Sequence, residues 1–211
     1  MKHLLIIGAG GFAREVYWHA QDSLGYGTEW DIKGFLDGDE TLSKEEYGKL
    51  QLPVLGDVES YEIQQDDCFI CAIGQPQARE RLVKKILMRG GEFINLIHRT
   101  ALICPTAKMG RGNIICPLVH ILDHVVVGDF VIFNGRSGMG HDAVIGDYSS
   151  LMSAVDITGY VTVGKRTFWG SGARSVPHSC IEDDATIGIG SVVFRRVKAG
   201  TKVFGNPAMP I

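Results

Sequence analysis

The 211-residue chain lacks any apolar segment long enough to cross a bilayer. The apolar run near its N-terminus, residues 4–7, is too short for the core of a signal peptide. Charged side chains nearly balance at a formal net charge of −3, which excludes a broad electrostatic attraction for nucleic acid. Five cysteines, an odd number without a secretory signal, favour a reduced protein over a disulfide framework. Together these absences predict a cytoplasmic protein with no membrane and no nucleic-acid partner.

The C-terminal half carries a regular six-residue period. From Ile97 to Val193 every sixth residue is apolar except Ser175, and a small or β-branched residue usually stands two positions before it. Neither the period of a helix nor that of a plain strand explains this spacing, which is the signature of a parallel β-helix. Three hexads make one triangular coil, so we predict about six coils without large inserted loops. We expect the most strained corner at residues 175–178, where the apolar residue is lost.

The N-terminal part has a different organisation, and we therefore divide the chain into domains at residues 1–92 and 93–211. Strand-like and helix-like stretches alternate before residue 93, which predicts a parallel sheet with helices on its faces. This length suits one small Rossmann-like half but is too short for a complete dinucleotide-binding fold. The predicted strands are His3–Ile7, Ile32–Leu36 and Cys68–Ile73, and the predicted helices are Phe12–Asp22 and Pro76–Gly90.

A glycine-rich loop joins the first predicted strand to the first predicted helix. The run from Gly8 through Gly10 and Gly11 to Ala13 fits the GxGxxG/A pattern, in which glycines let the backbone approach a phosphate at a helix N-terminus. Asp37 ends the second strand, where a carboxylate can bind a ribose. The pattern also fits a tight turn without a ligand. A nucleotide or nucleotide sugar suits this part, whereas a small NAD-linked oxidoreductase is disfavoured because the second half of that fold is missing.

His141 is the most conspicuous polar residue of the hexad region. It lies two residues after the apolar position Met139, so we expect it at a corner of the β-helix and facing outward. Stacking of successive coils puts Asp123 next to His141 and His124 next to Asp142, which predicts two histidine–carboxylate pairs on one edge. An imidazole held by a carboxylate can act as a general base, although a surface histidine can also be a solvated bystander.

Several other histidines raise the alternative of a zinc site, as in β-helical carbonic anhydrases. Catalytic zinc needs three well-placed ligands, and no clear trio falls in register here, so we predict no metal. The histidines considered are His98, His120, His124 and His178.

Taken together, these motifs resemble the NeuD/PglD-type sugar acetyltransferases, bacterial sugar O- and N-acetyltransferases that contain a left-handed parallel β-helix. The resemblance covers almost the whole chain, and its combination of motifs is specific although each motif alone is weak. The motifs are Ile6–Val16, Gly34–Asp37, Ala72–Gly74, Leu96–His98, Gly140–Asp147 and Gly205–Ala208.

The resemblance implies a homotrimer with acetyl-CoA in the groove between neighbouring β-helices. It implies that His141 is the catalytic base and that Asp142 orients it. It further implies that the N-terminal part holds a nucleotide sugar through Gly8, Gly10, Gly11, Asp37 and Gly74. The residues that it implies for acetyl-CoA, some of them through main-chain amides, are Ala154, Gly172, Ala173, Gly190, Ser191 and Pro207.

We therefore predict an acetyl-CoA-dependent acetyltransferase that acts on a sugar, with a nucleotide-linked amino sugar for a surface glycan as the expected substrate. His141 would assist a direct attack on the thioester, because no serine or cysteine adjoins it to form an acyl-enzyme. Some relatives carry a second histidine on the next coil, where this chain has Ser150. This difference bears on the identity of the acceptor sugar. The basic residues 195, 196, 198 and 202 could meet the CoA phosphates. The alternative is a non-catalytic, nucleotide-sensing trimeric scaffold.

Overall fold

The computed structural model describes residues 1–38 and 44–211, and its N-terminal part is a small parallel sheet with helices. Its elements are β1 (Lys2–Ile7), α1 (Gly11–Gln21), β2 (Trp30–Leu36), α2 (Lys44–Tyr47), β3 (Asp67–Cys71), α3 (Pro76–Met88) and β4 (Glu92–Phe93). Among the described residues the strand order is β2-β1-β3-β4, and all pairs are parallel. Leu4 to Ile7 are fully buried, as expected for a central strand of a parallel sheet that is covered on both faces.

Helix α3 shows the predicted polarity, with proline at its start and glycine after its end. Pro76 occupies the first turn, where a missing N–H removes no helical hydrogen bond, and the side chain of Gln75 accepts a hydrogen bond from Ala78 N. Gly90 follows the helix with a φ of +80°, a conformation that favours glycine. No helix in the described part of the chain is long and apolar enough to cross a membrane.

The hexad region forms a β-helix with three parallel sheets, which we number as faces in the order in which the chain visits them. Successive coils pair in register, so that Val144 of one coil lies beside Thr162 of the next. Face 1 contains β5 (Leu96–Ile97), β8 (Ile114–Ile115), β11 (Ile132–Phe133), β14 (Ser150–Leu151), β17 (Phe168–Trp169), β20 (Thr186–Ile187), β23 (Lys202–Phe204) and the antiparallel β24 (Met209–Pro210). Face 2 contains β6 (Leu102–Ile103), β9 (His120–Ile121), β12 (Gly138–Met139), β15 (Asp156–Ile157), β18 (Arg174–Ser175) and β21 (Val192–Val193). Face 3 contains β7 (Lys108–Met109), β10 (Val126–Val127), β13 (Val144–Ile145), β16 (Thr162–Val163), β19 (Cys180–Ile181) and β22 (Arg196–Val197). The predicted fold class, a small α/β part followed by a hexapeptide-repeat β-helix, is therefore confirmed.

The corners of the β-helix repeat as regularly as its core. From residue 112 to residue 190, every sixth residue has a positive φ near +60°, and only three of these residues are glycines (Gly112, Gly172 and Gly190). A left-handed conformation is unfavourable for residues with a Cβ, so each of the other corners carries local strain that the stacked coils must offset. The prediction of one especially strained corner at residues 175–178 is wrong, because the φ of His178, +62°, matches that of the other corners.

Ser175 interrupts the apolar period without leaving an unpaired polar group. Its side chain is buried, and its hydroxyl accepts a hydrogen bond from Thr158 N at 3.2 Å. The hydroxyl of Thr158 in turn donates to the carbonyl oxygen of Ser175 at 3.0 Å. A buried hydroxyl that is satisfied in this way is tolerated inside the core.

The period ends at Val193 because the last coil is shorter than the others. Cys180 pairs with Arg196 rather than with residue 198, and Thr186 pairs with Lys202 rather than with residue 204. The chain then turns back through β24, which pairs antiparallel with β23. This change of direction closes the C-terminal end of face 1.

Face 1 is covered by the N-terminal part of the chain. Neighbouring residues of a strand point to opposite sides, so Leu96, Ile114, Ile132 and Ser150 point outward from the β-helix, yet all four are buried. They belong to the contact with the parallel sheet, and the main apolar core runs through both parts of the chain. On face 3, by contrast, the outward-pointing Val126 is 41% exposed.

Arg79 of α3 fastens the two parts together. Its side chain is buried, and its guanidinium donates to Phe130 O at 2.9 Å, to Ser149 O at 3.1 Å and to Tyr148 O. It also donates to Ile73 O at 2.6 Å within the N-terminal part. Burial lowers the pKa of this guanidinium to about 10, which leaves it charged at neutral pH. A cation held by main-chain carbonyls of both parts fixes their relative position.

Candidate active site

His141 lies at the corner between faces 2 and 3, directly after β12. Its Nδ1 is 2.9 Å from Oδ2 of Asp142, and the two side chains are 55% and 39% exposed. The carboxylate can only accept, so Nδ1 donates the hydrogen and Nε2 of the neutral ring keeps its lone pair. Asp142 has a φ of +56°, a conformation that Asp and Asn tolerate better than most residues. The corner thus presents a proton acceptor to solvent.

The two predicted cross-coil histidine–carboxylate pairs do not form in the described structure. Asp123 Oδ1 instead accepts a hydrogen bond from the hydroxyl of Thr106 at 2.5 Å, while its main-chain oxygen accepts from Asp142 N at 2.9 Å. The coils stack as expected, but the carboxylate that contacts His141 comes from its own coil. Stacking fixes which backbones are adjacent and leaves the direction of each side chain to its rotamer.

The coil above surrounds the His141 ring. Tyr160 N donates to His141 O at 3.0 Å, and the two rings are perpendicular with centroids 5.0 Å apart. His178, one coil further, stacks on Tyr160 at 4.9 Å with an interplanar angle of 4°. A column of aromatic rings therefore runs along this corner. Sequence reasoning missed Tyr160, although the stacking of residues eighteen apart would have placed it over Asp142.

The residues implied for acetyl-CoA follow a different corner, between faces 1 and 2. Ala154, Gly172 and Gly190 are the left-handed residues of three successive coils, and Ala173 and Ser191 follow two of them. Their main-chain N–H groups are already engaged, because each donates to a carbonyl within the β-helix. The bonds are Ala154 N to Gly135 O (3.0 Å), Gly172 N to Ser153 O (2.9 Å), Ala173 N to Gly170 O (3.1 Å), Gly190 N to Ser171 O (2.9 Å) and Ser191 N to Gly188 O (3.2 Å). That main-chain amides near Ala154 and Gly172-Ala173 meet the thioester and pantetheine stays a prediction, and the N–H groups of these three residues are themselves engaged within the chain.

Within one chain, His141 and this corner lie at opposite edges of face 2. Strands β12 and β15 begin at the corner between faces 1 and 2, where Ala154 lies, and end at the corner between faces 2 and 3, where His141 lies. A single chain therefore does not bring the candidate base beside the residues implied for acetyl-CoA.

Pro207 lines a separate cavity at the C-terminal end of the β-helix. The cavity has a volume of about 620 Å³. Arg195 and Arg196 line it together with the exposed Phe194 and Met209. Arg196 forms an ion pair with Glu182. Of the four basic residues suggested for CoA phosphates, the two arginines reach this cavity and Lys198 and Lys202 are not among its lining residues.

The glycine-rich loop opens into a cavity of 440 Å³ at the carboxyl ends of β1 and β2. Gly8, Gly10 and Asp37 line it, together with Glu59 of the following loop. Helix α1 begins at Gly11 with no acidic residue in its first turn and no side-chain cap, so its N-terminal amides carry a partial positive charge toward this end. This is the arrangement that binds phosphate groups at helix N-termini.

Two of the implied nucleotide-sugar residues lie outside the lining of this cavity. Gly11 starts the helix behind Gly10, whereas Gly74 belongs to the junction between the two parts of the chain. The carbonyl of Gly74 accepts a hydrogen bond from Ser150 at 2.7 Å and from Arg79 at 3.3 Å. Sequence reasoning had no signal for Arg79, because an arginine on a helix is usually exposed to solvent.

The histidines considered for zinc are dispersed over the chain. His98 lies at the junction with α1 and contacts Thr100 at 2.8 Å, and the ring of His120 lies against Gly138 on face 2. His124 and His178 lie on the corner of His141 but on different coils. Over residues 1–38 and 44–211, no group of three or more His, Cys, Asp or Glu side chains could hold a metal ion.

Known proteins resemble this chain in sequence and in fold. The family model described as the PglD N-terminal domain matches residues 3–86. GDP-perosamine N-acetyltransferase of Escherichia coli O157:H7 is 33% identical over 170 residues, which are 72% of this chain and 75% of that protein. The acetyltransferase domain of PglB from Neisseria gonorrhoeae superposes with a TM-score of 0.89 at 26% identity, covering 100% of both chains. PerB from Caulobacter crescentus, solved in complex with CoA and GDP-perosamine, superposes with a TM-score of 0.88 at 29% identity, covering 100% of this chain and 98% of that one.

The fold and these relatives define an acyltransferase built on a hexapeptide-repeat β-helix. The chain belongs to the NeuD/PglD-type family of sugar acetyltransferases. The expected acetyl donor agrees with the relatives, since the PglB domain has also been solved with acetyl coenzyme A.

Proposed function

We propose that this enzyme transfers an acetyl group from acetyl-CoA to the amino group of a nucleotide-linked amino sugar. The observation that carries the proposal is the exposed His141, whose Nδ1 is held by Asp142 at 2.9 Å. In this reaction Nε2 accepts the proton of the amine as its nitrogen attacks the thioester carbonyl, and His141 then returns the proton to the departing sulfur. Asp142 keeps the ring in the required tautomer and stabilises the imidazolium.

The cavity at the glycine-rich loop is the proposed nucleotide-sugar site. The N-terminus of α1 would receive the phosphates, Gly8 and Gly10 would allow their close approach, and the carboxylate of Asp37 would bind the ribose. The GDP-perosamine bound by PerB of Caulobacter crescentus supports a nucleotide-linked amino sugar as the acceptor. We propose that the reaction takes place in the cytoplasm and serves the synthesis of a surface glycan.

We further propose that the enzyme works as a homotrimer with the acetyl-transfer site between two copies. The corner of His141 and the corner of Ala154 lie at opposite edges of face 2, so a second copy is needed to bring one beside the other. Face 3 offers an apolar surface for such a contact, since Val126 and Val144 are 41% and 39% exposed. The donor would then lie in the groove between neighbouring β-helices, along Ala154, Gly172 and Gly190.

The reaction can be tested by following thiol release from acetyl-CoA with GDP-, UDP- and dTDP-linked amino sugars. We expect release with one of these sugars and a loss on the order of 10²- to 10⁴-fold in His141→Ala. Asp142→Asn should also lower kcat while preserving the left-handed corner. His124→Ala removes an exposed histidine of the same corner one coil away and should leave the rate unchanged. If no sugar supports release and calorimetry detects no acetyl-CoA binding, the proposal is wrong and the scaffold alternative is favoured.

The trimer and its shared site need a test of their own. Analytical ultracentrifugation should give three times the 23.0 kDa chain mass. Mixing inactive His141→Ala subunits with subunits inactivated at Gly172 should restore activity, because some sites then combine an intact His141 with an intact donor groove. A monomeric mass, or no recovery after subunit exchange, would contradict the shared site.

A further inference from the structure

The coil above His141 leaves a space that only glycine provides. Gly159 stacks over His141, and a Cβ built on it would lie 2.8 Å from both Cε1 and Nε2 of the imidazole. The φ of Gly159 is outside the left-handed region, so its backbone does not require glycine. The missing side chain is therefore needed for the His141 ring rather than for the fold of the corner.

Tyr160 bounds the same ring from another direction. Its ring is perpendicular to His141 with centroids 5.0 Å apart, and it is itself braced by the parallel ring of His178 at 4.9 Å. Tyr160 is half-exposed and has a φ of +60°, so a bulky aromatic residue occupies a position where its backbone is disfavoured. Local backbone preference does not explain this residue, whereas contact with the two histidines does.

Asp142 alone cannot hold an exposed imidazole in one orientation. The hydrogen bond at Nδ1 constrains one atom, and the ring can still tilt about it. Gly159 lies at the Nε2 edge and Tyr160 stands across the ring, so the three contacts together restrict the tilt. General-base catalysis depends on such restriction, because displacing a reacting group by about 1 Å can cost on the order of 10²-fold in rate.

We infer that Gly159 and Tyr160 are positioning residues that set the orientation of the His141 imidazole and thereby the direction of Nε2. This inference rests on the proposed role of His141 as the base. The aromatic ring of Tyr160 does this work, and its hydroxyl is dispensable. His178 supports Tyr160 from the far side.

The test compares Gly159→Ala, Tyr160→Leu and the conservative Tyr160→Phe with wild-type enzyme. Acetyl-CoA and the nucleotide-linked amino sugar that supports thiol release in the panel above are varied in turn, which gives kcat and both KM values. In Gly159→Ala the new Cβ displaces the His141 imidazole, and in Tyr160→Leu the aromatic ring that bounds the imidazole is lost. Each substitution should therefore lower kcat by about 10- to 100-fold while both KM values stay within about twofold. Tyr160→Phe should retain kcat within about twofold. A crystal structure of Gly159→Ala should show the His141 ring rotated away from residue 159.

Several outcomes would overturn the inference. Wild-type kcat in Gly159→Ala and Tyr160→Leu would do so, as would equal losses in Tyr160→Phe and Tyr160→Leu, which would transfer the role to the hydroxyl. An unrotated His141 ring in the Gly159→Ala structure would do so even if Tyr160→Leu proved unstable. Full activity of His141→Ala is a separate result, because it would reject the proposed base itself.

Discussion

The two parts of this chain achieve their structure in opposite ways. In the β-helix almost every contact between coils repeats at the same sequence separation, and one register describes the pairing of Val126 with Val144 and of Val144 with Thr162. In the N-terminal part each contact occurs once, and the position of that part depends on single groups such as Arg79 and Ser150. A repeat spreads stability over many similar contacts, whereas a junction concentrates it in a few.

The same contrast holds for the chemistry. The stacking of successive coils determines which residues lie beside His141. It places Gly159 and Tyr160 next to His141 and His178 on the far side of Tyr160. The cavity at the glycine-rich loop derives its lining from separate segments, including Asp37 and Glu59. Substitutions should therefore act differently in the two parts, and the predictions below begin with the largest expected effect.

Trp169→Ala tests how far the repeat depends on its largest buried side chain. Trp169 is fully buried inside the β-helix, and its Nε1 donates to the hydroxyl of Thr167 at 3.2 Å. Truncation leaves a large cavity and removes one of the two hydrogen bonds of the Thr167 hydroxyl, which still donates to Ser149 Oγ. We therefore expect a loss of about 3–5 kcal/mol in the free energy of unfolding, measured by urea denaturation. Trp18→Ala, at a side chain that is 57% exposed, should change stability by less than about 0.5 kcal/mol. Equal losses in the two variants would contradict this account of the core.

Arg79→Met tests the junction. The substitution preserves much of the apolar stem but leaves carbonyls of both parts without a donor, so we expect a loss of about 2–3 kcal/mol and earlier melting of the N-terminal part. Arg81→Met changes an exposed arginine of the same helix and should have little effect. Differential scanning calorimetry provides the measurement, and an Arg79→Met protein as stable as Arg81→Met would show that apolar contacts alone hold the junction.

Gly8→Ala and Gly10→Ala distinguish two roles of the glycine-rich loop, tolerance of a strained backbone and close approach of the proposed nucleotide sugar. Gly8 has a φ of +104°, and a Cβ there would lie 2.8 Å from Ile73 Cδ1, so Gly8→Ala should lose about 1–2 kcal/mol of stability. A Cβ on Gly10 would meet nothing within 4 Å, so Gly10→Ala should keep its stability. We expect Gly10→Ala to raise KM for the nucleotide sugar several-fold without changing KM for acetyl-CoA. An unchanged KM for the nucleotide sugar would show that Gly10 does not contribute to binding it.

The contact between α1 and the first coil should weaken slightly in acid. Burial and the nearby His98 lower the pKa of His19 below its ordinary value of 6.5, and burial lowers that of His98, although Glu15 and Asp22 act in the opposite direction. A depressed histidine pKa means that the unfolded chain takes up protons first, so stability is fully present above about pH 6.5 and declines as the pH falls below it. The melting temperature should therefore fall between pH 7 and pH 5 by less in His19→Gln than in wild-type protein. His124→Gln, at an exposed histidine, should follow wild type; equal slopes for all three proteins would exclude this contribution.

The period alone predicts most of the β-helix, and the reason is physical. Apolar residues at every sixth position can be buried together only if the chain coils, and coiling brings residues eighteen apart into register. The position of His141 at an outward corner follows from the same rule. The strand–glycine–helix pattern likewise predicts the place of the cavity at the glycine-rich loop. Ser175 shows the limit, since the period cannot indicate that Thr158 satisfies its hydroxyl.

The sequence by itself thus determined the architecture, the corner of His141 and the loop at Gly8 and Gly10, because backbone geometry and repeated burial depend on local residue types and their spacing. The stacking rule pointed to Asp123 and the resemblance to Asp142, and the tertiary structure decided between them in favour of Asp142, because the partner of His141 depends on side-chain rotamers that the repeat leaves open. It also decided that Arg79 lies buried between the two parts. The contact of Arg79 joins α3 to the β-helix, and these segments share no sequence period. The spacing of their residues therefore could not predict it.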